Sequence, residues 1–360
     1  VAAEAHTHEW TYSYEMVDGK CVTTANCACG ATNVVASLDP IEIKHALSLD
    51  SALTVIFRLA AGSESNVAQY TDVHAIVNKD MYNVDELLAE KDITNVPATI
   101  QNGGTRTQFV YDGIRSIDIC SNLDVKVFGT NSDGIKVLIA GENYKFVDYL
   151  NSQYAKNATA ADGTRNAAFR QLLADIAYYG AAAQNYFTYN RNNLANSQIP
   201  DTYVTGIIAA EDFNTTTSNS NIKVAFDLKS KIEVKSRFMK TAAPDGSYFK
   251  FDYKIVDNST GKIVITNKQY IVQKENFGQD ANNENRYEVI FDQNPASSIP
   301  LNFTMSLCDS EGNVLDSREY GVETYAYSRT NNASASAAEK LMDNKMVAYG
   351  RSAYAYFAFG

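Results

Sequence analysis

The chain has 360 residues, of which 45% are apolar and 20% are charged, and its 31 basic and 42 acidic residues give a net charge of −11. The apolar content is enough for buried cores, and the length predicts more than one domain. The negative charge repels phosphate backbones, and no apolar run approaches the roughly 20 residues that span a bilayer, so we expect neither nucleic acid as a partner nor membrane insertion.

The first segment of the chain combines histidines with closely spaced cysteines. It contains His6-x-His8, Cys21 and then CACG, with Cys27 and Cys29. Thiolates and imidazoles gathered in this way can hold one tetrahedral zinc ion, so a structural zinc site formed by His6, Cys21, Cys27 and Cys29 is one expectation. A disulfide from Cys21 to Cys27 or Cys29, and free thiols, stay open as alternatives because Cys-x-Cys is tighter than the usual Cys-x-x-Cys spacing.

After this segment the chain repeats itself. The stretch Ile43–Leu59 aligns without gaps with Ile222–Phe238, and Val125–Val137 aligns with Phe303–Leu315. The phrases YYGAAAQNYF and AYGRSAYAYF then close the two copies. Three landmarks in the same order indicate a tandem duplication. We therefore predict three parts: an N-terminal Cys/His segment at 1–38, a first repeat at 39–199 and a second repeat at 200–360.

Each copy begins with strands in which β-branched and aromatic residues alternate with polar ones, as in ALTVIFRLA and YFKFDYKIV. This period of two predicts sheets with one buried face, so the expected fold class is mainly β, with a β-sandwich in each repeat. Asp133-Gly134 and Glu311-Gly312 mark equivalent hairpin turns.

Each copy ends with a predicted helix that closes the sandwich. Thr164 can cap the first helix, and Ser336-Ala-Ala-Glu339 has the pattern of a capping box for the second. Gly180 and Gly350 lie on the apolar stripes of these helices, where a missing side chain allows close approach to a sheet. The polar, Asn-rich stretch from 188 to 206 is typical of a linker between the repeats.

No catalytic motif stands out. The sequence lacks a nucleophile elbow and a phosphate-binding loop, although two of the 42 acidic residues can always meet as a hydrolase pair. Abundant tyrosine beside Asn, Gln and Asp, on a duplicated module, favours binding of a polymer such as a polysaccharide. We therefore predict a binding protein and not an enzyme.

Three groups of aromatic residues in polar surroundings are the candidate sugar sites. The first combines Tyr70 with the NKDMYN segment, the second is a long polar loop in the second repeat, and the third is Trp10 with the neighbouring Tyr12 and Tyr14. For any one of these tyrosines a half-buried structural role is the competing interpretation. The predicted ligand-binding residues are Tyr70, Asn78, Lys79, Asp80, Tyr82, Trp10, Phe277 and Tyr287.

The closing phrases and the HTHEW…C…CACG opening resemble secreted, multi-domain surface proteins of gut clostridial bacteria, whose tandem β-sandwich modules end in a Tyr-Gly-x-x-Ala-x-x-Tyr-Phe helix. Here that pattern is Tyr179, Gly180, Ala183, Tyr186 and Phe187, and it recurs from Tyr349 to Phe357. Such proteins include the starch-adherence components of the amylosome. The resemblance implies an extracellular, cell-surface starch-binding protein, but no ligand motif matches, so no binding residue is carried over.

The predicted function is therefore non-catalytic capture of starch or maltooligosaccharides at a bacterial cell surface by a monomer, with no cofactor required beyond the possible zinc. The alternative is a protein-binding adhesin or assembly module of a surface complex, and a glycoside hydrolase is third. A sugar binder needs aromatic and polar groups together, an adhesin needs an apolar patch or open sheet edge, and a hydrolase needs two converging carboxylates.

Overall fold

The computed structural model describes residues 7–49, 53–228, 232–257 and 264–359, and its mainly β architecture confirms the predicted fold class. The first three strands form an antiparallel sheet of their own in the order β1-β2-β3. They are β1 (Trp10–Val17), β2 (Lys20–Cys27) and β3 (Thr32–Leu38). No described helix combines the length and apolar character that crossing a bilayer requires.

The next part contains two four-stranded sheets, in the orders β10-β11-β5-β4 and β13-β12-β6-β9, followed by helices. Its elements are β4 (Ile43–Ser48), β5 (Leu53–Leu59), α1 (Glu64–Val67), β6 (Thr71–Lys79), β7 (Tyr82–Asn83), β8 (Glu86–Leu87), β9 (Asp92–Pro97), β10 (Thr99–Ile100), β11 (Thr107–Ile114), β12 (Asn122–Thr130), β13 (Lys136–Lys145), α2 (Phe146–Lys156) and α3 (Arg165–Phe187). Val55, Phe57 and Phe109 from one sheet pack in one core with Val77 and Val125 from the other, as the alternating pattern requires.

The last part has the same plan, with sheets in the orders β18-β19-β15-β14 and β17-β16-β20-β21. Its elements are β14 (Lys223–Leu228), β15 (Ile232–Met239), β16 (Tyr248–Asp257), β17 (Val264–Gln273), β18 (Gly278–Gln279), β19 (Arg286–Phe291), β20 (Phe303–Cys308), β21 (Val314–Tyr320), α4 (Val322–Thr330) and α5 (Ala337–Phe357). Strand for strand, both sheet orders match those of the preceding part, which is the arrangement expected of a duplicated sequence. The predicted hairpin glycines, Gly134 and Gly312, both have positive φ, of 75° and 92°.

The N-terminal sheet covers the outer face of one sheet of the first repeat. Phe128 on β12 and Leu138 on β13 form a small buried cluster with Cys21, against which Tyr14 and Ile76 pack. The Leu138 backbone N–H also donates to Thr23 Oγ1 at 3.1 Å, and Lys126 Nζ donates to the Tyr14 carbonyl at 3.0 Å. In the first repeat the N-terminal sheet therefore covers the part of this face around Phe128 and Leu138.

The two long helices, α3 and α5, pack along each other. The repeated Tyr-Gly phrase meets its own copy there, with the rings of Tyr179 and Tyr349 stacked at 5.9 Å between centroids. Each glycine was predicted to lie against a sheet, but each lies instead against an isoleucine outside the strands. A Cβ on Gly180 would lie 2.6 Å from Ile119 Cδ1, and one on Gly350 would lie 2.3 Å from Ile299 Cβ, so both helices press on the residue that follows a 3₁₀ turn.

The helix caps agree with the sequence in part. Thr164 Oγ1 accepts from the Ala167 N–H at 3.2 Å, and Ser336 Oγ accepts from the Glu339 N–H at 3.1 Å. The Glu339 carboxylate forms an ion pair with Arg329. This ion pair therefore also links α5 to α4.

Asp343 is the most unusual group in this helix layer. Its side chain is fully buried on α5, and neither carboxylate oxygen has a hydrogen-bond partner among the described residues. Burial raises its pKa to about 7, against a smaller opposing effect of the Arg329 charge, while Tyr179 and Tyr325 face it from α3 and α4. Burial therefore shifts the titration of this carboxyl group toward neutral pH.

The predicted linker is packed instead of solvated. Tyr189 and Ile199 are buried, and the Gln184 amide of α3 is hydrogen-bonded to backbone groups of the stretch. Further on, the Asn344 amide of α5 both accepts from the Ile208 N–H at 3.1 Å and donates to its carbonyl at 3.0 Å. The polar composition of this stretch therefore supplies internal hydrogen bonds, and the predicted boundaries at 38 and 199 stay predictions.

Candidate functional site

A polar cleft opens on the sheet of the second repeat, at strands β16 and β17. Its volume is about 470 Å³, and its lining includes Asp252, Tyr253, Lys254, Asn267, Lys268, Asn302 and Glu319. We call it the β16 cleft. Amide, ammonium, carboxylate and phenol groups together provide both donors and acceptors of hydrogen bonds.

The strand register explains why these side chains converge. Asp252 on β16 lies directly opposite Gln269 on β17 and Thr304 on β20, and Thr304 lies opposite Glu319 on β21. Residues directly opposite each other project from the same face of a sheet, and Phe251, next to Asp252, is fully buried on the other face. One polar row therefore crosses the outer face of all four strands.

Part of this row is already held in place. Gln269 Nε2 donates to Asp252 Oδ1 at 2.7 Å, and Lys250 Nζ lies 3.2 Å from Asp252 Oδ2. By contrast, Lys254, Asn267 and Lys268 have exposed side chains at the mouth of the cleft. Tyr253 is half buried and is anchored by an edge-to-face contact with Phe291, with 4.8 Å between ring centroids. The cleft thus combines fixed groups with accessible ones.

The equivalent face of the first repeat has a different composition. The pair Ser306 and Ser317 lies on the outer face of the second repeat, and the matching pair in the first repeat is Phe128 and Leu138. Similarly, Asp252 matches Ile76, because each lies opposite the equivalent residue of the next strand. The apolar set is covered by the N-terminal sheet. The part of the first repeat that matches the β16 cleft is therefore covered, whereas the cleft itself is open in the second repeat.

The residues of the β16 cleft are not among the predicted ligand-binding residues, although the sequence contains a signal for them. In YFKFDYKIV, Lys250, Asp252 and Lys254 alternate with apolar residues and define the outer face. The predicted sites are aromatic residues in polar segments, and that criterion does not identify a polar strand face.

Lys79, which was predicted to contact a sugar, lies in a buried ion-pair network. Its side chain is buried, and its ammonium group lies 2.8 Å from Asp118 Oδ2 and 3.2 Å from Asp92 Oδ2 while donating to the Gly113 carbonyl at 3.1 Å. Burial alone raises the pKa of Asp118, but hydrogen bonds and charge from Arg115 and Lys79 outweigh it and hold the pKa below its ordinary value. This cluster is a structural ion-pair network.

The neighbouring candidates are also largely occupied. Asp80 is buried and lies 3.1 Å from Lys91 Nζ, and the Asn78 amide donates to Asp124 at 3.4 Å. Tyr82 is half buried against Tyr189, with 5.4 Å between ring centroids. These contacts favour the competing structural interpretation for this group.

Tyr70 does not join the other candidates of its group. Tyr70 precedes β6, whereas Lys79 ends that strand, so the length of the nine-residue strand places Tyr70 roughly 30 Å from Lys79 in the NKDMYN segment. Tyr70 instead packs over Gly129, where an added Cβ would lie 2.7 Å from the Tyr70 Cβ. The predicted grouping of Tyr70 with Tyr82 is wrong.

In the second repeat, Phe277 and Tyr287 pack on the hydrophobic core and not in an open loop. Phe277 lies 5.4 Å from Phe238 and 5.3 Å from Tyr287 between ring centroids. Both are half buried. They contribute to the stability of this core, and neither of them lines the β16 cleft.

Trp10 and its candidate neighbour Tyr12 are both open, with 38% and 39% of their surfaces exposed, and Trp10 stacks on the His8 ring at 4.8 Å. His8 belongs to a group with Cys27 and Cys29, whose ligand atoms all lie within 4.8 Å of one another. Hydrogen bonds from the side chain and backbone of Cys29 lower the pKa of the Cys27 thiol to about 6. These three residues could hold a metal ion.

Cys21 is not part of that group. It is fully buried and contacts Met16 Sδ at 3.4 Å, and burial raises its pKa to about 11. Because Cys21 and Cys27 lie six residues apart on β2, their Cα atoms are roughly 20 Å apart, far beyond disulfide reach. The predicted Cys21 ligand and the predicted disulfide from Cys21 to Cys27 or Cys29 are wrong, since Cys29 lies beyond Cys27 and all three cysteines are free thiols. His6 lies outside the described residues.

A comparison with protein-family models found no match, and a comparison with curated proteins found none. Among solved structures, the chain is similar, at 8% identity, to a structure titled as that of Astrotactin-2, a conserved vertebrate-specific and perforin-like membrane protein involved in neuronal development. The similarity covers 72% of this chain and 51% of that chain, with a TM-score of 0.18. This chain thus spans about half the length of that structure, and similarity this low supports no inference about fold or function.

Proposed function

We propose that this chain is a non-catalytic carbohydrate-binding protein and that the β16 cleft holds the sugar. The supporting observation is the row of polar side chains across the outer face of the sheet, which offers both hydrogen-bond donors and acceptors. Sugar hydroxyls both donate and accept, so they are matched by amide and charged side chains, while an aromatic ring can cover the apolar face of a pyranose.

The charge of the cleft favours a neutral ligand. Its lining contains the two acidic groups of Asp252 and Glu319 and the two basic groups of Lys254 and Lys268. Formal charges of opposite sign balance, so neither a phosphate nor a cation is specifically attracted. Starch or a maltooligosaccharide is the first ligand to test, with the protein acting outside the cell at a bacterial surface.

The covered face of the first repeat implies one sugar site per chain. The N-terminal sheet lies where a second site would otherwise open, over Phe128 and Leu138. A chain with one site gains no avidity from its duplication. Isothermal titration with a soluble maltooligosaccharide should therefore give one site per chain.

Affinity gel electrophoresis tests the proposal directly. The protein is run through native gels containing amylopectin, pullulan, xylan or a β-linked glucan, and its mobility is compared with that in a gel without polysaccharide. Retardation by amylopectin and pullulan alone supports starch binding. The absence of retardation in every gel would overturn the carbohydrate proposal.

The cleft is tested by the double variant Asn267→Ala/Lys268→Ala, which removes two exposed side chains. Losing two hydrogen bonds at about 1 kcal/mol each should weaken binding by roughly tenfold or more. Lys156→Ala, which removes an exposed lysine on α2 of the first repeat, is the matched control and should bind like the wild type. Unchanged binding of the double variant would place the sugar elsewhere.

A protein-binding module is the second candidate, and the edge of the same sheet favours it. Strand β17 ends the order β17-β16-β20-β21, and Val264, Ile265 and Ile271 on it are 50%, 45% and 45% exposed. An open, partly apolar edge can accept a strand from another protein. Ile271→Lys should abolish such a complex while leaving polysaccharide retardation intact.

A further inference from the structure

The strongest feature outside the β16 cleft is the group formed by His8, Cys27 and Cys29 at one end of the N-terminal sheet. Cys27 ends β2, and Trp10, the first residue of β1, lies directly opposite it. Continuing this antiparallel register by two residues brings His8 beside Cys29. The Cys29 Sγ atom indeed lies 3.3 Å from His8 Nδ1.

The turn that carries the cysteines is well defined. The Cys27 N–H donates to the Ala31 carbonyl and the Gly30 N–H donates to the Cys27 carbonyl, both at 2.9 Å. Gly30 has φ of +89°, a conformation that residues with a side chain rarely adopt, so the turn depends on this glycine. On the other side, stacking on Trp10 orients the His8 ring. Three ligand atoms are therefore gathered by backbone geometry.

The spacing of these atoms matches a tetrahedral zinc ion. With Zn–S bonds of about 2.3 Å and Zn–N bonds of about 2.0 Å, tetrahedral angles place sulfur and nitrogen about 3.5 Å apart and two sulfurs about 3.8 Å apart. The observed 3.3 Å between Cys29 Sγ and His8 Nδ1, and the limit of 4.8 Å for the whole group, agree with these edges. Two thiolates and an imidazole favour zinc over magnesium or calcium, which prefer oxygen ligands.

We propose that His8, Cys27 and Cys29 supply three ligands to one zinc ion. The ion would join His8, two residues before β1, to the turn between β2 and β3, and so close the end of the N-terminal sheet. Because the rest of that sheet is held by its contacts with β12 and β13, zinc removal should loosen this end without unfolding the sandwiches. This inference is independent of sugar binding.

The test uses the full chain without a histidine tag, purified under reducing conditions with zinc present and then passed through a desalting column. Metal analysis should find about one zinc per chain. Replacement by cobalt should give the near-ultraviolet absorption of thiolate–cobalt bonds. Cys27→Ser, Cys29→Ser and His8→Ala should each lower zinc occupancy at least fivefold, whereas Cys21→Ala, which changes the buried thiol of the same sheet, should retain it.

All these ligands lie at the surface or at a turn, so circular dichroism should show the variants to be folded. Three results would overturn the proposal: less than about one zinc per five chains in the reduced wild type, zinc content unchanged by both cysteine variants, or a disulfide between Cys27 and Cys29 that persists in the reducing buffer.

Discussion

Adding one methyl group at Gly350 probes the helix layer that closes both repeats. The Cβ of an alanine there would lie 2.3 Å from Ile299 Cβ and 2.4 Å from its Cγ2. Non-bonded carbons rest at about 3.5–4.0 Å, so the new Cβ and Ile299 Cβ must move apart by more than about 1 Å. Because Ile299 Cβ is attached directly to the backbone, a rotamer change cannot move it, and α5 or the turn before Ile299 must shift.

The expected net effect of Gly350→Ala is a loss of about 1–2 kcal/mol in unfolding free energy. Overpacking costs about 1–3 kcal/mol and replacing glycine within a helix returns about 1 kcal/mol, which leaves a loss of about 0–2 kcal/mol. Because the backbone itself must shift to move Ile299 Cβ, we expect the upper half of that range. Gly180→Ala should cost less, since the nearest atom, Ile119 Cδ1 at 2.6 Å, is the tip of a side chain. Urea unfolding followed by circular dichroism measures both.

A second substitution distinguishes these two situations. Ile119→Val removes the Cδ1 atom that Gly180→Ala would strike, so the pair should show a favourable coupling of about 0.5–1 kcal/mol. Ile299→Val leaves both Cβ and Cγ2 in place and should not rescue Gly350→Ala. If Gly350→Ala were neutral or stabilising, or if Ile299→Val rescued it as well, the close approach of α5 to Ile299 would be refuted.

Two further substitutions test buried charges. Lys79→Met should lower the unfolding free energy by about 3 kcal/mol, because it breaks a buried ion pair. It should leave the retardation of the protein in polysaccharide gels unchanged. A loss of retardation in the folded variant would indicate that Lys79 is a ligand after all. Asp343 has a folded pKa of about 7, above its ordinary 3.8, so the folded state keeps a proton that the unfolded state releases. The contribution of this group to stability should therefore be greatest below about pH 4 and should decline up to about pH 7, by at most about 1.4 kcal/mol per pH unit. Urea titrations at several pH values measure this slope, and Asp343→Asn should remove it. An unchanged slope in the variant would contradict the assignment.

Periodicity and repetition were enough to predict the sandwich fold. The alternation in ALTVIFRLA and YFKFDYKIV requires strands with one buried face, and the duplicated landmarks correspond to the same sheet orders in both repeats. The caps at Thr164 and Ser336 and the turns at Gly134 and Gly312 also follow from local chemistry, since each depends on residues within a few positions. Such features are readable because short stretches of chain determine them.

The candidate site was less predictable, because exposure is a property of the assembled molecule. Lys79 and Tyr82 stand in a polar segment, yet one is buried in an ion-pair network and the other lies against Tyr189. Likewise, Cys21 is a cysteine close in sequence to the CACG turn, but its side chain lies on the buried side of its sheet and contacts Met16. Sequence neighbours do not reveal which distant side chains will cover them.

By itself, then, the sequence determined the strands, the turns and the helix caps, which follow from local patterns, and it predicted a duplication with which the matching sheet orders agree. Tertiary structure alone decided that the two Tyr-Gly helices pack on each other and that the N-terminal sheet covers one copy of a face that the other copy leaves open. It also decided that His8 joins Cys27 and Cys29 while Cys21 does not. These outcomes depend on contacts between segments far apart in the chain, and the two copies differ because only one of them has a neighbour to cover it.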